Sequence, residues 1–488
     1  MRWIMRLKLK YLLLIIVLAF VSLLTVLQLL HGGEDQVEFL DAGEGHGEGE
    51  EHGGGSNHIP DYILEEEALP PADTLEELDN GNWHDFAVDR VRRPVIGAKE
   101  QAEKEDLPFI VWWTPFTGET GRIKKCFVGD CYFSQDRELM THPKTKAFLF
   151  YGTDFSVKDL PLPKKRHHEW GLTHEESPKN NAIFYHEEGM NVFNHTCTFK
   201  QQSSYPISTQ YIRSMKYLLK PLTYTTAERE EFKRSEGLAA VAYVQSGCNP
   251  PSDRDAYVKE LMKYIKIDSY GKCLHNKDLP KVLLDPLTMF DKAYLKFFEK
   301  YKFIISFENA RCNDYMTEKI FRTIHMGSVP IYLGASNLRE WLPDPKSVIM
   351  VEDFKSPKDL AEHIKYLDEN SSEYEKLLEY KTKGNDNKKL EKVLEERQWG
   401  VDTGRKMNMV TGFECHVCDQ IHRNRNRQKA GEPILQYRAT LEHYGCPKPT
   451  QFPFPDVPGS QDWERKNWLW DYDGGKEQAI KMKRKMGS

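Results

Sequence analysis

The stretch Tyr301–Gly334, YKFIISFENARCNDYMTEKIFRTIHMGSVPIYLG, decides the fold. It opens on an apolar run, Phe303 to Phe307, and closes on another, Val329 to Leu333, and each reads as a short buried strand. Between them Ile320, Phe321 and Ile324 fit a helix with Thr317 as its N-cap. Strand, loop, helix and strand in that order imply a parallel pair joined by a crossover helix. Glu308 and Asn309 follow the first strand at its carboxyl end, where open α/β sheets bind ligands. Tyr315, Glu318 and Lys319 gather at the helix start, where partial positive charge and free N–H groups suit an anion such as a diphosphate. Lys319 adds a full charge, and the Glu318 carboxylate suits sugar or ribose hydroxyls better than phosphate. The same pattern also describes an ordinary βαβ unit with a solvated helix start.

Strand and helix alternate on both sides of this unit. Ala239–Val244, Ile267–Tyr270 and Ser347–Val351 read as strands. Asp253 caps a helix carrying Tyr257, Leu261, Tyr264 and Ile265 on one face, Tyr294–Phe298 lies in another, and Ser356-Pro357 starts a third that runs to about Leu367. Residues 236–412 therefore read as a doubly wound α/β domain. Arg254, at a helix start after a strand, is placed to meet a diphosphate or to form a surface ion pair.

Residues 107–235 read as a first folded region, with strands at Pro108–Trp113 and Ala147–Tyr151 and a loop between them marked by Gly118, Gly121, Cys126 and Cys131. Gly152-Thr153-Asp154 follows the second strand. The loop Thr173–Asn181 holds His174, the adjacent carboxylates Glu175 and Glu176, and Pro178. Adjacent carboxylates repel, burial raises the pKa of either, and such a group is a candidate general base; a surface loop is the plainer alternative. The polar segment 227–237 reads as a linker, and from Phe413 to the end the chain loses its periodicity and reads as a Cys- and aromatic-rich tail, 413–488.

The net charge of −6 gives no general basis for nucleic-acid binding, and no P-loop, GxGxxG or DNA-binding motif is present. Tyr11–Leu30 is a 20-residue stretch without a charge, long enough to cross a bilayer. Arg2, Arg6, Lys8 and Lys10 precede it, so residues 1–10 read as a cytoplasmic tail, 11–30 as a transmembrane signal anchor, and everything after as luminal: a single-pass type II protein of the endoplasmic reticulum or Golgi. A cleaved signal peptide is the alternative, against which stand the long apolar region and the lack of an A-x-A site. Residues 31–106 are acidic and, at least to 58, nearly free of apolar content, which predicts a disordered stem in which His46, His52 and His58 are solvated. Asn194-His-Thr and Asn370-Ser-Ser are N-glycosylation sequons. In an oxidising lumen the nine cysteines predict disulfides with one left over, and Cys415-His-Val-Cys418 is the most visible pair. In a cytosolic setting the same pair would suggest redox chemistry, or zinc with His422 and Cys446.

FENARCNDYMTEK with the helix and Val329-Pro330-Ile-Tyr-Leu-Gly334 after it resembles the nucleotide-sugar motif of the alpha-1,3-fucosyltransferase family, glycosyltransferase family ten. The resemblance runs from Trp112-Trp113 to Cys418. WWTPFTGETGR (112–122), KAFLFYGTDF (146–155), HEESPKNN (174–181), NPPSDRDAYVKEL (249–261), DSYGKC (268–273) and FECHVCD (413–419) look most like its divergent branch of fucosyltransferases ten and eleven. The resemblance implies a GT-B architecture, two Rossmann-like domains facing a cleft, with the acceptor on the first and GDP-fucose on the second. It implies a metal-independent, inverting transfer of fucose with no cofactor beyond the donor substrate. Glu176, in its Glu-Ser-Pro context, matches the family's base. Arg254 and Lys319 match residues that hold the diphosphate, Tyr315 and Glu318 the nucleotide and fucose contacts, and Glu308 and Asn309 the start of the motif. Cys126 and Cys131 look like the family's N-terminal pair and Cys415 and Cys418 like its CxxC; members differ in whether these link tail to first domain or bridge the CxxC itself.

Typical members act on N-acetylglucosamine, but here His174-Glu175-Glu176 replaces an apolar lead-in to Glu-Ser-Pro. The branch resemblance implies instead O-fucosylation of Ser or Thr on folded, disulfide-bonded EMI-type domains of secreted proteins. The competing expectations are alpha-1,3-fucosylation of N-acetylglucosamine in N-glycans, a non-catalytic luminal chaperone or lectin on the same fold, and a CxxC thiol oxidoreductase.

Overall fold

A computed structural model describes residues 95–116, 121–285, 288–401, 407–451 and 467–487. The expected membrane span and most of the expected stem lie outside the described residues. Among those described, no helix is long and apolar enough to cross a membrane. The expected disordered stem does not reach 106: residues Ala98–Lys104 form a helix that buries Ala98 and Ala102 against the first sheet.

That sheet has six strands, β1 (Phe109–Thr114), β2 (Arg122–Lys124), β3 (Cys131–Ser134), β4 (Thr145–Tyr151), β5 (Glu169–His174) and β6 (His195–Thr198), in the order β2-β3-β1-β4-β5-β6. All neighbours are parallel except β2, which runs against β3. The second sheet has five parallel strands, β7 (Val241–Tyr243), β8 (Ile267–Ser269), β9 (Phe303–Phe307), β10 (Val329–Leu333) and β11 (Ile349–Met350), in the order β11-β10-β9-β7-β8. β9 and β10 pair from Phe303 against Val329 to Phe307 against Leu333, and every residue in both is buried. The chain leaves β7 toward β8 and returns on the other side as β9. The topological switch point therefore lies between β7 and β9, and its crevice opens at their carboxyl ends.

The helices include α1 (Thr226–Ser235), α2 (Arg254–Leu261), α3 (Lys292–Phe298), α4 (Glu318–Met326), α5 (Pro357–Glu369), α6 (Met409–Lys429) and α7 (Trp468–Gly487). Two expectations are corrected here. The expected linker 227–237 is mostly helix α1, started by a capping box between Thr225 and Glu228 and pinned by buried Arg229, which donates to Gly327 O and the Tyr374 hydroxyl. The expected irregular tail begins inside α6, whose Val410, Phe413, Val417 and Ile421 recur at helical spacing and pack on the first sheet. It ends in α7, which buries Ala479 and Met482 on the same sheet. Asp253 does precede α2, but with φ +50° and no capping bond from its side chain.

Four disulfides tie the tail and the loops down: Cys126–Cys415, Cys131–Cys418, Cys248–Cys273 and Cys312–Cys446. Cys197 is the free, buried thiol. Cys415 and Cys418 are each bonded to the first sheet's region and not to one another. With Cys446 bonded elsewhere, neither a redox-active CxxC nor a zinc set with His422 and Cys446 forms.

Candidate active site

The loop after β5 and the loop after β9 meet, although about 130 residues separate them in the chain. The Tyr315 hydroxyl donates to Glu176 Oε2 at 2.9 Å. The Ser177 hydroxyl donates to Asn309 Oδ1 at 2.7 Å, and Asn309 Nδ2 lies 3.5 Å from Glu176 Oε2. The first sheet thus supplies a carboxylate, and the second supplies a phenol and an amide that hold it.

Below them Glu308 is fully buried at the end of β9. Both of its oxygens accept from the Thr317 hydroxyl at 2.9 Å, and Oε1 also accepts from Thr317 N at 2.8 Å. Burial pushes its pKa up, against the pull of Lys319. Gly334 after β10 is required by this packing, because a Cβ there would lie 2.8 Å from Glu308 Cγ and 2.3 Å from the Tyr332 hydroxyl. Glu308 therefore anchors the start of α4 from inside the core. Thr317 is the N-cap, its hydroxyl accepting from Lys319 N.

Lys319 Nζ sits 2.9 Å from Thr317 Oγ1, 3.2 Å from Glu318 Oε1 and 3.4 Å from Glu308 Oε2. Burial works to lower the Lys319 pKa, but the Glu318 and Glu308 charges prevail and hold it above the usual lysine range. Glu318 is the mirror case: burial opposes ionisation, and Lys319 and Arg322 overcome it and hold the carboxyl low. A charged lysine and two carboxylates are thus fixed in place at the helix start.

Arg254 opens α2 beside the same crevice. Its Nη1 donates to Phe307 O at 2.7 Å and its Nη2 to Gly247 O at 2.9 Å, so it bridges the end of β9 and the loop after β7 across the switch point. Its Nε is buried without a partner. Next to it the Ser252 hydroxyl donates to Glu308 O at 2.8 Å. A cleft of about 520 Å³ opens here, lined among others by Ser252, Ala310, Asn313, Gly334 and Ser336 from the second sheet's loops and by Lys448 from the tail. That volume falls within the range of small-ligand sites. A larger cavity of about 690 Å³ lies between α6 and the segment around Trp399, and neither lining includes Glu176, Arg254, Tyr315, Glu318 or Lys319, so cavity size does not locate the chemistry.

Tyr211 and Tyr151 at the site carried no functional signal in the sequence. Tyr211 is pushed well above the usual tyrosine range, by burial first and then by Glu318, Glu176, Glu175 and Glu308. The Tyr151 hydroxyl donates to Glu175 Oε1 at 3.0 Å. Burial pushes the Glu175 carboxyl up to about 7. The predicted competition between adjacent carboxylates is thus resolved by keeping one of them substantially protonated at neutral pH. Of the sequons, Asn194 is built into the fold, its amide nitrogen donating to Tyr437 O at 2.9 Å and its oxygen accepting from Trp170 N and Lys164. Asn370 lies at the partly exposed end of α5.

Two family models match this architecture: "Fucosyltransferase, N-terminal" over residues 105–211 and "Glycosyltransferase family 10 (fucosyltransferase) C-term" over residues 234–437. The chain belongs to glycosyltransferase family 10, the fucosyltransferases. Among its relatives, the GDP-fucose protein O-fucosyltransferase 3 of Homo sapiens is 43% identical over 385 residues, 78% of this chain and 80% of that protein. The protein of the same name from Danio rerio is 44% identical over 402 residues, 81% of this chain and 86% of that one. A solved alpha1,3-fucosyltransferase with GDP aligns at 16% identity and a TM-score of 0.38, covering 65% of this chain and 90% of that chain, too distant for residues to be carried across. The second of these models ends at residue 437. Residues 438–488, with Tyr444, Cys446 and α7, lie beyond it.

Proposed function

We propose that this protein is an inverting fucosyltransferase that moves L-fucose from GDP-β-L-fucose to a Ser or Thr hydroxyl of a folded, disulfide-bonded, EMI-type domain. The observation that carries this reading is the meeting of Glu176 with Tyr315 and Asn309, which joins the carboxylate of one sheet to the motif of the other. Glu176 is the general base: it takes the acceptor proton as the acceptor oxygen forms its bond to the fucose anomeric carbon. The bond from that carbon to the diphosphate oxygen breaks on the opposite face, so the β-linked donor gives an α-linked product. Charge accumulates on departing GDP. Lys319, the N-terminus of α4 and Arg254 are the fixed positive groups on that side, and preorganised charge of this kind is a large part of catalysis. Glu318 serves the sugar or ribose hydroxyls, and Glu308 holds Lys319 and Thr317 rather than the donor directly. No metal is needed for this role, since cations and a helix end neutralise the leaving group.

The relatives named for protein O-fucosylation support a protein acceptor. In this reading residues 107–235 form the acceptor domain and 236–412 the donor domain of a GT-B enzyme. Residues 11–30 anchor it in the endoplasmic reticulum or Golgi membrane with the catalytic region luminal, and Asn370 is the better placed glycan site. Intact-mass analysis tests the reading: a folded EMI domain and a glycan ending in N-acetylglucosamine are each incubated with the enzyme and GDP-fucose. A deoxyhexose added only to the folded domain is expected, and Glu176→Gln is expected to bind GDP-fucose while losing transfer. A gain only on the glycan would refute the protein acceptor. Full transfer by Glu176→Gln would refute the base.

A further inference from the structure

The carboxylate of Glu176 is held from one side by Tyr315. Its backbone is held from the other side by a residue beyond the end of the second family model. The Tyr444 hydroxyl lies 2.5 Å from Glu176 O and 2.6 Å from His174 Nδ1, and Tyr444 and His174 are both fully buried. A carbonyl only accepts, so the single Tyr444 proton goes to Glu176 O, and His174 must donate from Nδ1. His174 Nε2 is then bare and accepts from the Thr153 hydroxyl at 3.2 Å. This fixes a chain of direction Thr153 to His174 to Tyr444 to Glu176. The His174 ring has room because Gly152 has no Cβ; one there would lie 2.4 Å from the ring. The ring also stacks on Tyr444, with centroids 5.2 Å apart.

The two holds on Glu176 are covalently joined. Tyr315 stands three residues after Cys312, Tyr444 two residues before Cys446, and Cys312–Cys446 is a disulfide. The Phe199 ring lies 5.1 Å from both Tyr315 and Tyr444 and fills the space between them. A closed ring of contacts results: Glu176 side chain, Tyr315, the disulfide, Tyr444 and the Glu176 backbone. We infer that Tyr444 is a positioning residue for the reaction, supplied by the C-terminal segment, and that with the Cys312–Cys446 tether it sets where the Glu176 carboxylate points relative to the donor loop. This rests on the reading of Glu176 as the base.

Tyr444→Phe keeps the ring packing and removes the hydroxyl. Steady-state kinetics of the full-length chain with GDP-fucose and a folded EMI domain are measured together with GDP affinity by calorimetry. The expected result is a fall in kcat on the order of 10- to 100-fold, the scale set by misplacing a catalytic group by about an ångström, with GDP affinity unchanged. Adding Tyr444→Phe to Glu176→Gln is expected to lower the residual rate no further, since both act through one group. Wild-type kcat in Tyr444→Phe overturns the inference. So does a loss of GDP affinity in step with kcat, which would mark general damage. Should Tyr444→Phe fail to fold, Thr153→Val at the accessible end of the chain takes its place. A several-fold lower kcat at unchanged GDP affinity supports the inference, and an unchanged kcat overturns it. Glu176→Gln alone separates the two levels: if it keeps full activity the base reading fails, and if it is inactive while Tyr444→Phe is normal only the clamp fails.

Discussion

Glu175→Gln removes a titration that the fold has displaced far from its ordinary range. One oxygen of Glu175 accepts from Tyr151 at 3.0 Å, and the other is buried without a partner. Burial, reinforced by the Glu176 charge, lifts the carboxyl from 4.5 to about 7. Because the folded value lies above the unfolded one, the folded chain holds an extra proton between the two. Folding stability contributed by this group is complete below about pH 4.5, falls as pH rises through the interval, and levels off above about 7. At about 1.4 kcal/mol for each pH step of one, the interval amounts to on the order of 3 kcal/mol. Glutamine has nearly the same shape and no charge to lose. Denaturant unfolding of both proteins from pH 4.5 to 8.5, with disulfides intact, should therefore show the variant gaining on the wild type by on the order of 3 kcal/mol across that range, nearly all of it below pH 7.5. Parallel stability curves would refute the displaced titration. A wild type that gained on the variant with rising pH would reverse its sign.

Lys319→Met should lower kcat by roughly 10²- to 10³-fold, the scale for removing one preorganised charge from a developing anion; initial rates at saturating GDP-fucose check this, and an unchanged kcat would remove Lys319 from the leaving-group role. Cys126–Cys415 and Cys131–Cys418 close nearly the same loop, with separations of 289 and 287 residues. Breaking either alone should cost little, because the other still closes the loop, whereas breaking both should cost about 5 kcal/mol on the loop-entropy account; additive losses in denaturant unfolding would contradict it. Cys197 is fully buried, and burial pushes its thiol well above the usual range. Native alkylation followed by mass analysis should label no cysteine, and labelling of Cys415 or Cys418 would return the CxxC to redox chemistry.

What the sequence disclosed and what it hid divide along a physical line. A central strand of a parallel sheet is buried on both faces, so β9 and β10 coincide residue for residue with the apolar runs Phe303–Phe307 and Val329–Leu333. β5 and β6 begin on Glu169 and His195 and carry too few apolar residues to stand out as runs. The apolar seam of α6 is present at helical spacing, but the closely spaced cysteines at 415 and 418 suggest a local pair and an irregular tail. At the site, side chains that sit at the ends of strands and helices were legible because their place follows from the element. Tyr444 was not, since its contact with Glu176 spans 268 residues and depends on where the tail returns. One trace of that return was nonetheless in the chain. Cys446 stands alone among the last 60 or so residues, and in an oxidising compartment a solitary tail cysteine has to find its partner in the body of the protein. The available partners included Cys312, inside the very motif that decides the fold. The two family models, over 105–211 and 234–437, span the positions of the carboxylate, the lysine and the helix end. The Cys312–Cys446 disulfide ties that motif to a segment the models do not contain, and on the inference drawn for Tyr444 it is this segment that helps to align the Glu176 carboxylate.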